Sequence, residues 1–194
     1  MNQTAKLPVA DQWFERKTIS DDFTLLWEPH VHPLLRCNIL HVRGRDQDIL
    51  IDTGMGVGRL STAAKDLFDS DILVVLTHTH MDHSPGAALL QEKTGAKTYG
   101  FGPHGSGKPG LDPEEGGDMD FVPDITVADG DVIEGGSWSV RAIHTPGHLS
   151  NHLCFELLEE KTLFSGDHVM GWSTSIVSPP DGDMTQYLAS LEKL

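Results

Sequence analysis

An uninterrupted apolar run, Ile72–Leu76, passes directly into Thr77-His78-Thr79-His80-Met81-Asp82-His83, and no other feature restricts the fold so tightly. Such a run, with Val74 and Val75 at its centre and no polar alternation, predicts a strand covered on both faces, and hence a sheet with a layer on either side. Immediately beyond it stand four potential metal ligands within six residues. An isolated histidine is most often an ordinary core or surface residue. Three imidazoles and a carboxylate brought together are different, because desolvating them jointly is costly without a cation. The carboxyl end of a strand is also where α/β sheets bind ligands.

The rest of the chain alternates in the same sense. Phe23–Trp27, Arg36–Val42 and Ile49–Ile51 read as successive strands. Residues 57–68 read as a helix with Leu60, Ala63, Ala64 and Leu67 on one face. A second helix is predicted from about Pro85 to Lys93, with Pro in its first turn and Gly95 closing it. Lys97–Phe101 is a short strand. Residues 102–120, rich in Gly, Pro and acidic side chains, read as a long exposed loop. Five short strands follow, at Ile125–Val127, Asp131–Glu134, Ser137–Ile143, His152–Leu158 and Lys161–Phe164. Asp183–Leu194 closes the chain as a helix expected to turn Tyr187, Leu188, Leu191 and Leu194 inward. With no internal repeat and no linker between two apolar units, residues 1–194 are expected to form one α/β domain.

Two more segments place ligand-type residues just beyond strands. Thr145-Pro146-Gly147-His148 follows Ser137–Ile143, and Phe164-Ser165-Gly166-Asp167 follows Lys161–Phe164. The order H-x-H-x-D-H, T-P-G-H, S-G-D, with Asp52 in Ile51-Asp52-Thr53-Gly54 upstream, resembles the metallo-β-lactamase superfamily over about residues 20–194. The segment from Gly166 onward is similar to its lactamase-β-like hydrolase and endoribonuclease branch. The first seventy residues look more like a general metallohydrolase branch. That resemblance implies an αβ/βα sandwich around two metal ions, usually zinc, with iron or manganese as alternatives. Carried over by motif, His78, His80 and His148 hold the first ion, Asp82 and His83 the second, and Asp167 bridges them. Asp82 also serves catalysis by orienting a metal-bound hydroxide, and Asp52 orients a ligand or simply closes a turn. Imidazole and carboxylate donors suit zinc independently of any resemblance. An Asp rather than a Cys at the bridging position disfavours β-lactams as the main substrate, and His80, where flavodiiron relatives carry Glu, favours a hydrolytic metal.

The implied activity is hydrolysis of an ester, thioester, lactone or phosphodiester of a small molecule. The alternatives are a single-strand endoribonuclease and a catalytically idle metal-binding scaffold. With 14 Lys+Arg against 29 Asp+Glu, a formal charge of −15 disfavours nucleic acid. No apolar run approaches the length of a membrane span, and Met1-Asn2-Gln3-Thr4 is no signal peptide, so a membrane partner is not expected. Cys37 and Cys154 form no disulfide framework, which makes the cytoplasm the default. The family's further G-H-G histidine has no counterpart here. The chain is therefore expected to lack the last strand, ligand His and helix of that fold, leaving the second ion one ligand short.

Several patterns are decoys. Gly102–Lys108 imitates a P-loop, but Pro109 replaces the required hydroxyl. Gly54, Gly56 and Gly58 lack the third glycine of a dinucleotide loop, since Arg59 stands there. His30 and His32 read as surface or cleft-rim residues. His144 and His152 have no required direction, and His168 is expected to point away from Asp167. Trp138 and Trp172 read as core or cleft-wall aromatics.

Overall fold

The computed structural model describes residues 12–110, 116–171 and 173–194. In chain order these form β1 (Glu15–Thr18), β2 (Phe23–Trp27), β3 (Ile39–Val42), β4 (Asp48–Ile51), α1 (Leu60–Ala63), β5 (Ile72–Val75) and α2 (Gly86–Thr94). They continue with β6 (Lys97–Gly100), β7 (Ile125–Thr126), β8 (Val132–Glu134), β9 (Ser139–His144), β10 (Leu153–Leu157), β11 (Thr162–Phe164) and α3 (Met184–Lys193). Strands β1 to β7 make one sheet in sequence order, antiparallel up to β4 and parallel from β4 to β7. The second sheet runs β11-β10-β9-β8 and is antiparallel throughout.

Strand β5 shows why its sequence carries no polar alternation. Ile72 and Val74, with Leu76 just beyond, pack against Leu60, Leu67, Ala87 and Leu90 on the helical side. Leu73 and Val75 face the other way, into a core shared with Val140, Ala142, Leu153 and Phe155 of the second sheet. Strand β4 divides likewise, Leu50 toward the helices and Ile49 and Ile51 between the sheets. The result is the expected α/β sandwich, with the carboxyl ends of the central parallel strands opening at one edge. Among the described residues, no helix is long and apolar enough to cross a membrane.

The structure differs from the sequence reading in four places. The helix expected over 57–68 is a four-residue α1 followed by a separate 3₁₀ turn at Lys65–Leu67, because Ala64 leaves the helical region at φ −124°, ψ 38°. It starts only at Leu60, where Arg59 supplies no capping side chain, and Gly58 just before it leaves room for Trp13, whose Cδ1 would lie 2.3 Å from a Cβ there. Strand β1 was not legible, since its four residues are polar and exposed. Helix α3 turns Tyr187 and Ser190 inward and leaves Leu188, Leu191 and Leu194 exposed, against expectation. It rests on the narrow turn before His148, with Ser190 Oγ donating to Pro146 O at 2.8 Å and Asp183 N to Gly147 O at 2.9 Å, so only one edge is covered. Finally, part of the loop at 102–120 is docked rather than free: Met81 N donates to Gly116 O, Asp118 N to Thr79 O, and Ser84 Oγ to the buried Asp118 carboxylate.

Candidate metal centre

The six residues singled out by motif come together at the open strand edge. His78 and His80 leave the end of β5, while Asp82 and His83 occupy the turn that leads into α2. His148 sits in the loop joining β9 to β10, and Asp167 follows β11. His78 Nε2 lies 3.1 Å from His80 Nδ1, and His148 Nε2 lies 3.0 Å from the same atom. Nitrogens held about 2.0–2.1 Å from one tetrahedral ion are about 3.3–3.4 Å apart, so the three rings are close to such a disposition. A second group forms beside it from His78, His83 and Asp167. His83 Nε2 is 3.5 Å from Asp82 Oδ2 and 3.4 Å from Asp167 Oδ1, and the other Asp167 oxygen is 3.8 Å from His148 Nε2. Asp167 therefore stands between the two groups.

The proton arrangement tests whether a cation fits. His148 Nδ1 lies 2.6 Å from Ile176 O, which can only accept, so the proton sits there and Nε2 presents a lone pair. Thr77 Oγ1 donates to Asp52 Oδ2 at 2.8 Å and accepts from His78 Nδ1 at 3.0 Å, which leaves His78 Nε2 a lone pair as well. His80 Nδ1 thus faces two lone pairs with at most one proton to share. Burial, then the neighbouring imidazoles, holds His78 well below the usual histidine range, and burial with His80 lowers His148 to about 4. These rings stay neutral and available as ligands.

On the other side, His83 Nδ1 bonds Asp52 Oδ2 at 2.8 Å, so its Nε2 points into the Asp82–Asp167 gap and is buried without a hydrogen-bond partner. Burial alone would lower this histidine, but Asp82, Asp167 and Asp52 outweigh it and push it well above the usual range. Asp167 is held well below the carboxylate range, His83 and His148 overcoming its burial. Both groups would accept positive charge at the point where their donors converge, and a divalent cation would supply it. The residues fit the group that the motifs imply.

Asp52 is more than a turn residue. Its carboxylate also accepts from Thr77 N at 2.8 Å, so one buried side chain orients His83 directly and His78 through Thr77. It does so from a left-handed backbone at φ 60°, a conformation that Asp tolerates better than most residues.

The sequence left the direction and role of His152 open. The β9–β10 loop folds back, with Thr145 N donating to His152 O at 3.0 Å, and the fully buried His152 ring lies 5.1 Å from that of His78. Its only sequence signal is the four-residue spacing from His148, which does not reveal direction. Thr79, between His78 and His80, has its hydroxyl against His104 Nδ1 and Asn151 Nδ2. His168 joins neither group and packs 4.5 Å from Tyr187. His144 stacks on Phe101, and His30 and His32 are exposed, His32 capping the 3₁₀ turn Pro33–Leu35. Lys108 of the decoy P-loop donates to Pro180 O at 2.7 Å. Trp138 is core, its indole nitrogen donating to Gln47 O, and Trp172 lies outside the described residues.

A two-sheet sandwich with clustered imidazoles and carboxylates at its strand edge defines a class, and the chain belongs to the metallo-beta-lactamase superfamily, whose family model matches residues 32–194. Among curated proteins, it is 34% identical to the lactamase-like protein aptB of Emericella nidulans over 75% of this chain and 43% of that one. It is 28% identical to the human acyl-coenzyme A thioesterase MBLAC2, over 94% of this chain and 76% of that protein. The chain thus spans less than half the length of aptB. Among solved structures, a metallo-beta-lactamase family protein from Thermus thermophilus aligns over 91% of this chain and 70% of its own, with TM-score 0.71 and 22% identity, a likeness of fold.

Proposed function

We propose that this chain is a metal-dependent hydrolase acting on thioesters of small molecules. The observation that carries the proposal is the convergence of His78, His80 and His148 beside His83, Asp82 and Asp167, with the tautomers of His78 and His148 set so that their lone pairs face inward and His83 Nε2 turned toward the two carboxylates. His78, His80 and His148 would hold one divalent ion, Asp82 and His83 a second, with Asp167 between. When bound, zinc or a similar ion polarises a carbonyl and acidifies water. The protein's own groups do the rest. Asp82 orients the attacking water and takes its proton, Asp52 keeps His83 Nε2 turned inward, and the dense packing around the rings fixes their direction. Water adds to the thioester carbonyl carbon, the carbon–sulfur bond breaks, and the thiol leaves with a proton, giving a carboxylic acid.

The choice of a thioester rests on the kinship with proteins such as MBLAC2, a named thioesterase. A phosphodiester or RNA substrate is disfavoured by the formal charge of −15. The test is a panel of a thioester, a lactone, a phosphodiester and single-stranded RNA, each with and without chelator. Turnover of the thioester that chelator abolishes and metal restores is expected, and Asp82→Ala should lower it by orders of magnitude. An unreactive thioester alongside a cleaved phosphodiester, or full activity in Asp82→Ala, would overturn the reading.

A further inference from the structure

Four large apolar side chains that ordinary folding would bury are exposed around one opening. Leu34 and Leu35 are 54% and 53% exposed, Met81 is 42% and Ile176 is 60%. They come from three separate stretches of chain and border a single cavity of about 700 Å³. The floor of that cavity is the candidate centre itself, since His80, Asp82, His148 and Asp167 line it. Met55, Pro179 and Pro180 complete the apolar wall. Among the described residues lining it there is no Lys and no Arg. A convergent polar floor under a continuous apolar wall matches an amphipathic ligand whose reacting group lies at the bottom and whose tail lies on the wall.

We propose that this wall binds the acyl group of the substrate, and that the acyl group is an uncharged apolar chain. The inference rests on the hydrolase reading above and adds which part of the thioester lies where. Among the described residues its wall offers no Lys or Arg to a carboxylate or phosphate, so an anionic portion of the thiol finds no side-chain counter-charge there. An aliphatic tail finds seven apolar side chains instead. Leu34 and Leu35 sit on the 3₁₀ turn Pro33–Leu35, held by the His32 cap, and so present a fixed surface rather than a trailing loop. Ile176 is placed by its own carbonyl, which accepts from the His148 ring, so wall and floor are joined through one residue.

The experiment compares S-acetyl-, S-hexanoyl- and S-decanoyl-N-acetylcysteamine with zinc-loaded protein. These substrates share a neutral leaving group and differ only in the acyl chain. Each buried methylene is worth about fourfold in binding, so kcat/KM should climb steeply from acetyl to decanoyl. In Leu35→Ser, and separately in Leu34→Ser, the decanoyl-to-acetyl ratio should fall about tenfold through a raised KM for the decanoyl substrate, with zinc content as the check that the centre is intact. Equal rates along the wild-type series, or a ratio unmoved in both variants, would overturn the proposal while leaving the hydrolase reading standing. A Leu35→Ser change confined to self-association of the chain would overturn it too, by assigning the wall to a second copy. If none of the three substrates is hydrolysed, the thioester reading itself falls.

Discussion

Replacing Asp52 with Asn keeps shape and removes charge, and the outcome follows from three hydrogen bonds. Oδ1 accepts from Thr77 N, and Oδ2 accepts from Thr77 Oγ1 and His83 Nδ1, each at 2.8 Å. The backbone N–H of Thr77 can only donate, so the amide oxygen must stay on it and the NH₂ must take the place of Oδ2. Facing that NH₂, His83 can hold its hydrogen bond only by accepting at Nδ1, which moves its proton to Nε2. Nε2 then holds the neutral ring's only proton and cannot give a lone pair to an ion between Asp82 and Asp167. The Thr77 hydroxyl can rotate, so His78 is disturbed less. Loss of such an orienting partner typically weakens metal binding 10–100-fold, or about 1.4–2.7 kcal/mol. The expectation for Asp52→Asn is therefore unequal: an ion held by His83, Asp82 and Asp167 weakens by that factor, and one held by His78, His80 and His148 by much less. Calorimetric titration of zinc into apo-protein resolves the two events. Wild-type affinity at both positions, or an equal loss at both, would refute the tautomer argument.

Other expectations are separable from this one. His148→Ala should release metal and reduce hydrolysis by orders of magnitude while the fold survives, as metal content and circular dichroism will show; outside the candidate ligands its ring bonds Ile176 O. Gly147→Ala should destabilise by about 1–3 kcal/mol in urea unfolding, since at φ 142° its Cβ would lie 2.3 Å from Tyr187 Cα. Gly95→Ala should cost only about 1–2 kcal/mol, because Gly95 is left-handed at φ 74° but has nothing within 4 Å of its Cβ position. His41 is buried against Asp48, and burial lowers it below the ordinary histidine value despite that carboxylate. The unfolded chain then takes up this proton first as pH falls through about 6.5, so the folded state loses stability on acidification. Urea unfolding of His41→Gln between about pH 5 and 7 should show a shallower decline than the parent chain.

The candidate site was legible because its residues are bunched and their types are chemically costly to bury. H-x-H-x-D-H sits at the end of an apolar run, and the two later motifs each follow a strand, so strand ends could be read as one edge. Supports were less visible. Thr77, Thr79 and His152 are common residue types whose value lies only in what they touch, and His152 reaches His78 because a loop folds back on itself. Asp52 was visible as a strand-end acid, but two readings of it stood equal until its partners were located.

What the sequence determined by itself is what depends on short-range pattern. A continuous apolar strand demands cover on both faces, apolar runs mark most of the other strands though not the polar β1, and a cluster of imidazoles and carboxylates is costly to bury without a cation. What only the tertiary structure decided is direction and company. Helix 57–68 broke at Ala64 and α3 turned its leucines outward, because cover comes from segments distant in the chain and a helix buries only the edge that something meets. The apolar wall above the centre was likewise invisible, since Leu34, Leu35, Met81 and Ile176 share no spacing, and only folding brings them to one rim. Local periodicity reports which residues prefer to leave water; which surface receives them is a property of the whole chain.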